Sequence, residues 1–510
     1  MGLTAKSISR MDDYAVVVDE RDNVAVVKKP VAAGLCVQLP QGNAIEIAAA
    51  AAPGERFALR DIAGGAFVLQ YGEPIGTSKG IAAGDIISHA NMSDDVPVVR
   101  EVAADLSGPA TRYIPEAERA TFMGFRRADG RVGTRNYVLI IPTSMCASHE
   151  SLQISMMAEF SLYSRERFPN VDGVSAIPHN KGCGCQDGSP VDLLLRVLSN
   201  YADHPNVGGV VLLELGCEKT NLSVLEEYLQ RLGHKLNKPL VRIGIQQAGG
   251  TQAAIQAGIA AVTKMLPEVN AIQREPVSVS ELVLGVKCGG SDAFSGISAN
   301  PSLGFAADTL VRSGGTVLIT EVPEFCGAEH LLAQRAKDPE TARAVYNMVD
   351  WYKDYARKWG AELGENPSPG NIKGGLLNIT IKSLGAVAKA GTTRVEGVTD
   401  YGTPPAGRGL HLMQGPGYDQ ESTPGLVAAG ANVVVFTTGR GSTIGNAIAP
   451  VIKLSSNNDV FRRMQGDIDL SAGNVLEGSE SISAVGTGCR VCLSSAFKFD
   501  LNSLNVWRTG

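Results

Sequence analysis

Five short and largely apolar runs, Tyr137–Ile141, Val210–Leu213, Leu282–Val286, Thr316–Thr320 and Asn432–Phe436, constrain this chain more than any other feature. They lack the polar alternation of a half-exposed strand, so they predict strands buried on both faces. Helix-compatible stretches at 222–235, 250–265 and 328–358 lie between them, and that alternation predicts an α/β architecture with mainly parallel sheets. A break within Met265–Val277 gives one α/β layer over 121–272 and a second over 273–510. Residues 1–95 read differently. Val16–Val18, Val24–Val27 and Phe67–Tyr71 are β-branched or aromatic runs cut by Gly, Asp and Pro, which predicts a small β-rich unit. Residues 96–120, rich in Asp, Pro, Ser and Glu and without periodicity, read as a linker.

Charge narrows the partners. Lys and Arg number 46 against 52 Asp and Glu, so there is no electrostatic footprint for nucleic acid and no polybasic membrane patch. No apolar run approaches the roughly 18–20 residues that span a bilayer. The opening residues lack a secretory pattern, so a cytoplasmic location is expected.

In doubly wound sheets ligands bind beyond the carboxyl ends of the strands, so the residues immediately after each apolar run matter most. After Ile141 comes Pro142–Cys146; after Leu215, Gly216-Cys217-Glu218-Lys219; after Val286, Lys287-Cys288-Gly-Gly-Ser-Asp292; after Thr320, Glu321-Val-Pro-Glu324. Phe436 is followed by Thr437–Thr443, and Pro178–Cys185 carries His179, Lys181 and Cys183. The chain has 58 glycines in 510 residues, above the usual level of about 7%, and clusters of them suit loops that approach ligands. Its nine cysteines, an odd number, read as thiols. Cys146, Cys183, Cys217 and Cys288 have the chemistry to ligate iron or an iron–sulfur centre. Alternatively His179, Asp292, Glu218 and Glu321 supply a harder divalent-cation site. Each of these cysteines also has a plain reading as a small core residue. Cys489 and Cys492 form a lone CxxC, weak for zinc, and Cys36 reads as core. Gly439–Gly445, with Arg440, suits a carboxylate, and Asn366–Gly375 is a second glycine-rich loop; neither matches a nucleotide fingerprint.

Taken in order, Arg131-Val-Gly-Thr-Arg-Asn136, His179-x-x-Gly182-Cys183, Gly216-Cys217-Glu218, Cys288-Gly-Gly-Ser-Asp292 with Ser295–Pro301, Thr320–Glu324, Asn366–Asn371 with Gly374-Gly375, and Phe436–Gly441 resemble the altronate and galactarate dehydratase family over nearly the whole chain. The resemblance implies a hydro-lyase of carbohydrate catabolism. Such an enzyme dehydrates a sugar acid to a 2-keto-3-deoxy acid and depends on Fe2+, with an iron–sulfur cluster or another divalent metal as alternatives. It also implies that residues 1–95 form a β-clip domain of the SAF type. An α-proton beside a carboxylate is weakly acidic, so the reaction needs a charge clamp, a base and an acid for the leaving hydroxyl. On these residues His179, Glu218 and Lys181 are the catalytic candidates. Arg135, Asn136, Asn371, Lys373, Arg440, Ser442 and Thr443 are candidates for holding the substrate. Cys183, Cys217, Cys288 and Asp292 are candidates for the metal, with Cys146, Glu321 and His89 as alternatives.

Three departures stand out. Ser88-His89-Ala90-Asn91 replaces a His-x-His-Asn of altronate-type relatives, Lys181 stands where they carry an aromatic, and Ser442-Thr443-Ile444-Gly445 replaces a Thr-Pro-Tyr-Gly. The alternatives to a dehydratase are a carbon–sulfur lyase on a sulfonated hydroxy acid and a non-catalytic sugar-acid binding protein. A homodimer is the default assembly for such an enzyme.

Overall fold

All five apolar runs are strands, and all five are interior strands of two parallel sheets. The computed structural model describes residues 8–97, 99–361 and 366–495. The first sheet holds β1 (Tyr137–Pro142), β2 (Gly173–Ala176), β3 (Val207–Glu214) and β4 (Leu240–Gly244), in the order β2-β1-β3-β4. The second holds β5 (Val283–Cys288), β6 (Thr316–Ile319), β7 (Val395–Thr399), β8 (Gly409–Met413), β9 (Val433–Thr438), β10 (Val451–Ser455) and β11 (Leu470–Ser471), in the order β7-β8-β6-β5-β9-β10-β11. Every pairing in both sheets is parallel.

These orders place two crevices. The chain leaves β1 for β2 on one side and then crosses to β3 on the other, so the loops after β1 and β3 flank a topological switch point. The second sheet repeats this between β5 and β9. The sheets share an apolar layer containing Leu139 and Ile141 from one and Val434 and Phe436 from the other. Asn432 ties their amino ends together: its carbonyl accepts from Thr134 Oγ1 at 2.6 Å and Asn206 Nδ2 at 3.1 Å, and its amide donates to Val132 O.

Residues 8–93 form three small three-stranded sheets. Val24–Val27 and Phe67–Gln70 are strands as expected, but of Val16–Val18 only Val16 is paired. This unit packs on the second sheet, and Val24, Ile62 and Ile75 share one core with Leu284 and Val317. Arg56 Nη1 donates to Gly375 O at 2.7 Å and Lys28 Nζ to Leu476 O at 2.9 Å. Gly375 has φ 92°, and a Cβ there would lie 2.6 Å from the Gly54 carbonyl, so this close approach requires glycine.

The segment after it does not hang free. The Gly108 amide donates to Ala336 O at 2.8 Å, the Ile114 amide to Arg312 O at 2.7 Å, and Arg100 pairs with Asp350 at 2.6 Å, so this stretch is a strap along the second sheet's layer. Entry into and exit from the first layer are clasped by antiparallel pairing of Thr121–Arg126 with Glu275–Ser278. The stretch 328–358 is two helices, Glu329–Ala333 and Pro339–Lys358, because Asp338 caps the second by accepting from the Thr341 amide at 2.7 Å.

Candidate active site

The first crevice is built from the loops after β1, β2 and β3. Glu218 is buried and draws the loops after β1 and β3 together. Its Oε1 accepts from Thr143 Oγ1 at 2.7 Å, Ser144 Oγ at 3.2 Å and the Leu215 amide at 2.8 Å, and its Oε2 from the Gly216 amide at 2.6 Å. Burial alone would raise its pKa, but these donors outweigh it and hold the carboxyl below its ordinary value. His179 is fixed as well. Nε2 lies 3.0 Å from the Pro142 carbonyl and Nδ1 accepts from the Lys181 amide at 3.2 Å; a carbonyl only accepts, so Nε2 carries the proton. Burial is the main reason its pKa is depressed, and the Lys181 charge adds to it. Lys181 is exposed. Cys146, Cys183 and Cys217 are exposed on the three loops, and Cys185 is half-buried.

The second sheet's strand ends are the opposite. Lys287 and Cys288 end β5, Glu321 and Glu324 follow β6, and Lys382 and Lys389 come from Ile379–Val387 and the turn after it. Lys287 bonds Glu321 and lies 2.7 Å from Asp419; Lys389 lies 3.0 Å from Glu321 and 3.1 Å from Cys288 Sγ; Lys382 lies 2.8 Å from Glu324. Glu321 and Lys287 are fully buried, and Cys288 is 1% exposed. Glu321 adopts a left-handed backbone, φ 75°, which costs an L residue about 1–2 kcal/mol. The two ammonium groups and the Cys288 amide, 2.9 Å from its Oε2, offset that cost.

Among the described residues, Cys288, Glu321 and Glu324 are the group whose ligand atoms lie within 4.8 Å of one another. Geometry alone makes them a metal candidate, but charge argues against it. Lys287, Lys382 and Lys389 already balance Glu321, Glu324 and Asp419 one for one, and burial pushes the Cys288 thiol up to about 12. A divalent ion would enter a buried site already neutral and rich in ammonium groups. The exposed thiols of the first crevice have the softer and more accessible donor chemistry.

A cleft of about 670 Å³ opens at the second switch point, between the small N-terminal unit and the loops after β5, β9 and β10. Lys28, Lys29, Lys373, Arg440, Arg462 and Arg463 line it, together with Asp12, Asp13, Asp459 and Glu477. Asp292 forms part of its wall, accepting from Ser295 Oγ at 2.8 Å, Ser456 Oγ at 2.9 Å and Asn457 Nδ2 at 3.2 Å. Burial raises its pKa despite these donors.

Other candidates from the sequence lie elsewhere. Arg135 and Asn136 precede β1, at the amino ends of the strands, opposite the crevices. Asn136 bonds Asn170 O, Val269 O and Arg127, and Arg135 faces Asp172 at 3.7 Å, so both join framework pieces. Asn371 caps its own helix with Ser368 and donates to Ser291 O at 2.8 Å. Ser442 Oγ accepts from the Ile444 amide at 3.2 Å, and Thr443 is exposed. His89 is exposed, 3.7 Å from Asp94. Cys489 is buried in the last described helix, Ile482–Ser495, and the Cys492 side chain lies outside the described residues. Sequence reasoning passed over Lys382 and Lys389. Their seven-residue spacing in an apolar stretch is the available signal, since it puts two lysines on one face.

The cleft lies at the switch point of a doubly wound sheet, where such folds bind their ligands. The chain matches, in order, the family models for the altronate/galactarate dehydratase SAF domain over residues 13–95, the D-galactarate dehydratase/altronate hydrolase second domain over 124–270, and the D-galactarate/altronate dehydratase C-terminal domain over 279–494. It is 34% identical over 461 residues to altronate dehydratase of Bacillus subtilis, covering 90% of each chain. It is 34% identical over 479 residues to galactarate dehydratase (L-threo-forming) of Escherichia coli, covering 93% of this chain and 90% of the relative. A third relative, the (2R)-sulfolactate sulfo-lyase subunit beta of Chromohalobacter salexigens, is 34% identical over 374 residues, 73% of this chain and 91% of its own length. The chain belongs to the altronate/galactarate dehydratase family, and its dehydratase relatives are hydro-lyases.

Proposed function

We propose that this protein dehydrates a sugar acid, an aldonate or aldarate, to a 2-keto-3-deoxy acid, and that the cleft at the second switch point binds the acid. The observation that carries this reading is the cleft itself: six cationic side chains line it beside the carboxylates of Asp12, Asp13, Asp459 and Glu477, and the buried Asp292 forms part of its wall. Arg440 and Lys373, exposed at its edge, hold the substrate carboxylate and stabilise the charge that develops when the α-proton leaves. Asp292, held in the cleft wall by Ser295, Ser456 and Asn457, is the carboxylate placed to take that proton, and burial raises its pKa against those donors. His179 and Glu218, whose polar atoms are engaged, position the loops of the first crevice, which carry Lys181 outside the cleft. Cys146, Cys183 and Cys217 have the donor chemistry that would suit Fe2+, which when bound would supply a Lewis acid, but as a trio their sulfur atoms do not all lie within 4.8 Å of one another. A cytoplasmic homodimer is part of the same proposal.

The test is anaerobic assay of 2-keto acid formation from a panel of aldonates and aldarates, with and without ferrous iron. The expected outcome is an iron-dependent product from at least one acid. Sulfonated hydroxy acids belong in the panel because of the sulfo-lyase relative, and sulfite release without any keto-deoxy product would replace the dehydratase reading. Asp292→Asn should abolish turnover while leaving substrate binding, and Arg440→Met should raise KM at least tenfold, losing about 1.5–3 kcal/mol of charge-assisted bonding.

A further inference from the structure

Cys288 and Lys389 lie 101 residues apart in sequence, yet Lys389 Nζ stands 3.1 Å from Cys288 Sγ, with both side chains buried. A carboxylate serves each atom: Glu321 Oε2 is 3.0 Å from Nζ, and Glu324 Oε2 is 3.4 Å from Sγ. Nothing in the proposed dehydration uses the pair, and its neutral surroundings reject a divalent ion. What remains is an amine and a thiol in direct contact, closed to charged reagents. Small uncharged molecules are not excluded by that charge balance.

We propose that Lys389 and Cys288 form a covalent modification site, in which dioxygen joins Nζ to Sγ through a single bridging oxygen atom. The ammonium and the thiol react with one dioxygen to give the nitrogen–oxygen–sulfur bridge, one water and one proton. The O–O bond breaks, and one N–O and one S–O bond form. Nitrogen and sulfur each give up two electrons, and the four electrons reduce both oxygen atoms. The released proton goes to Glu321, which already contacts Nζ. The charge arithmetic of the cluster favours this product. Three cations against three anions become two against two, because Lys389 loses its charge as Glu321 is neutralised. No net charge is left buried. An excess of dithiol reverses the reaction, returning amine, thiol and a second water.

The test uses the full chain as purified, one portion held in air-saturated buffer and one kept anaerobic with dithiothreitol, both digested and read by peptide mass spectrometry. The expected result is a linked pair of peptides, one holding Cys288 and one Lys389, whose mass is their sum plus one oxygen minus two hydrogens. The linkage should be absent from the anaerobic portion, disappear on treatment with dithiothreitol, and carry the heavy isotope after exposure to labelled dioxygen. In Cys288→Ser and in Lys389→Arg it should be missing. The proposal is overturned if Cys288 remains unmodified in air, carries added oxygen without Lys389, joins another cysteine, or links to Lys389 with loss of two hydrogens and no oxygen.

Discussion

The two sheets carry similar chemistry at their carboxyl ends and treat it in opposite ways. Each presents cysteine, glutamate and lysine after its central strands. In the first sheet the glutamate is sunk into loop amides and hydroxyls while the thiols face solvent. In the second the thiol, two glutamates and three lysines are buried together, and Asp419 at their edge supplies the third negative charge. Residue type at a strand end therefore does not tell a reagent-accessible site from a structural one. Whether each charge already has a partner does.

Alkylation tests this contrast most severely. With its thiol pushed to about 12 from an ordinary 9.0, Cys288 should react with iodoacetamide at least about a thousandfold more slowly than an ordinary exposed thiol, on ionisation alone. Timed labelling with mass spectrometry reads this, and Cys288 reacting alongside Cys146, Cys183 and Cys217 would show that the cluster is open. Next in size is Lys287→Met. Removing one partner of a buried pair should cost about 3–5 kcal/mol in denaturant unfolding. A stable variant would mean that Lys389 alone satisfies Glu321.

Glu218→Gln tests the other crevice and should cost about 1–3 kcal/mol. The folded pKa of Glu218 lies below its unfolded value, so its stabilisation is complete above the unfolded value and is lost as pH falls through the folded one. The difference in Tm between wild type and the Gln variant should therefore shrink on acidification; a constant difference would deny the carboxylate its role. Smallest of all, serine at Cys146, Cys183 or Cys217 should change stability by less than about 0.5 kcal/mol, since these thiols are exposed. Retained iron should nevertheless fall, as metal analysis would show.

The legibility of the sequence divides along the same line. All five apolar runs are interior strands, because a strand covered on both faces can be apolar throughout. The strands that escaped notice are edges or carry a buried polar residue. β2, β4, β7 and β11 lie at sheet margins, β8 contains His411, and β10 contains Lys453. Cys288, Asp292, Glu321 and Arg440 were legible because they come after a recognisable strand. Lys382 and Lys389 were not, because partners remote in sequence make their burial tolerable. Arg135 and Asn136 belong to a distinctive motif whose polar atoms join framework pieces, a use that residue type cannot separate from substrate binding.

The docking of the small N-terminal unit has a consequence for how the chain is made. Arg56 finds its partner carbonyl 319 residues further along, at Gly375, and Lys28 finds one later still, at Leu476. On a ribosome adding about 5–20 residues per second, the first unit is in solution for roughly 15 to 60 s before its seat exists. During that interval Val24, Ile62 and Ile75 lack the Leu284 and Val317 side chains that complete their core.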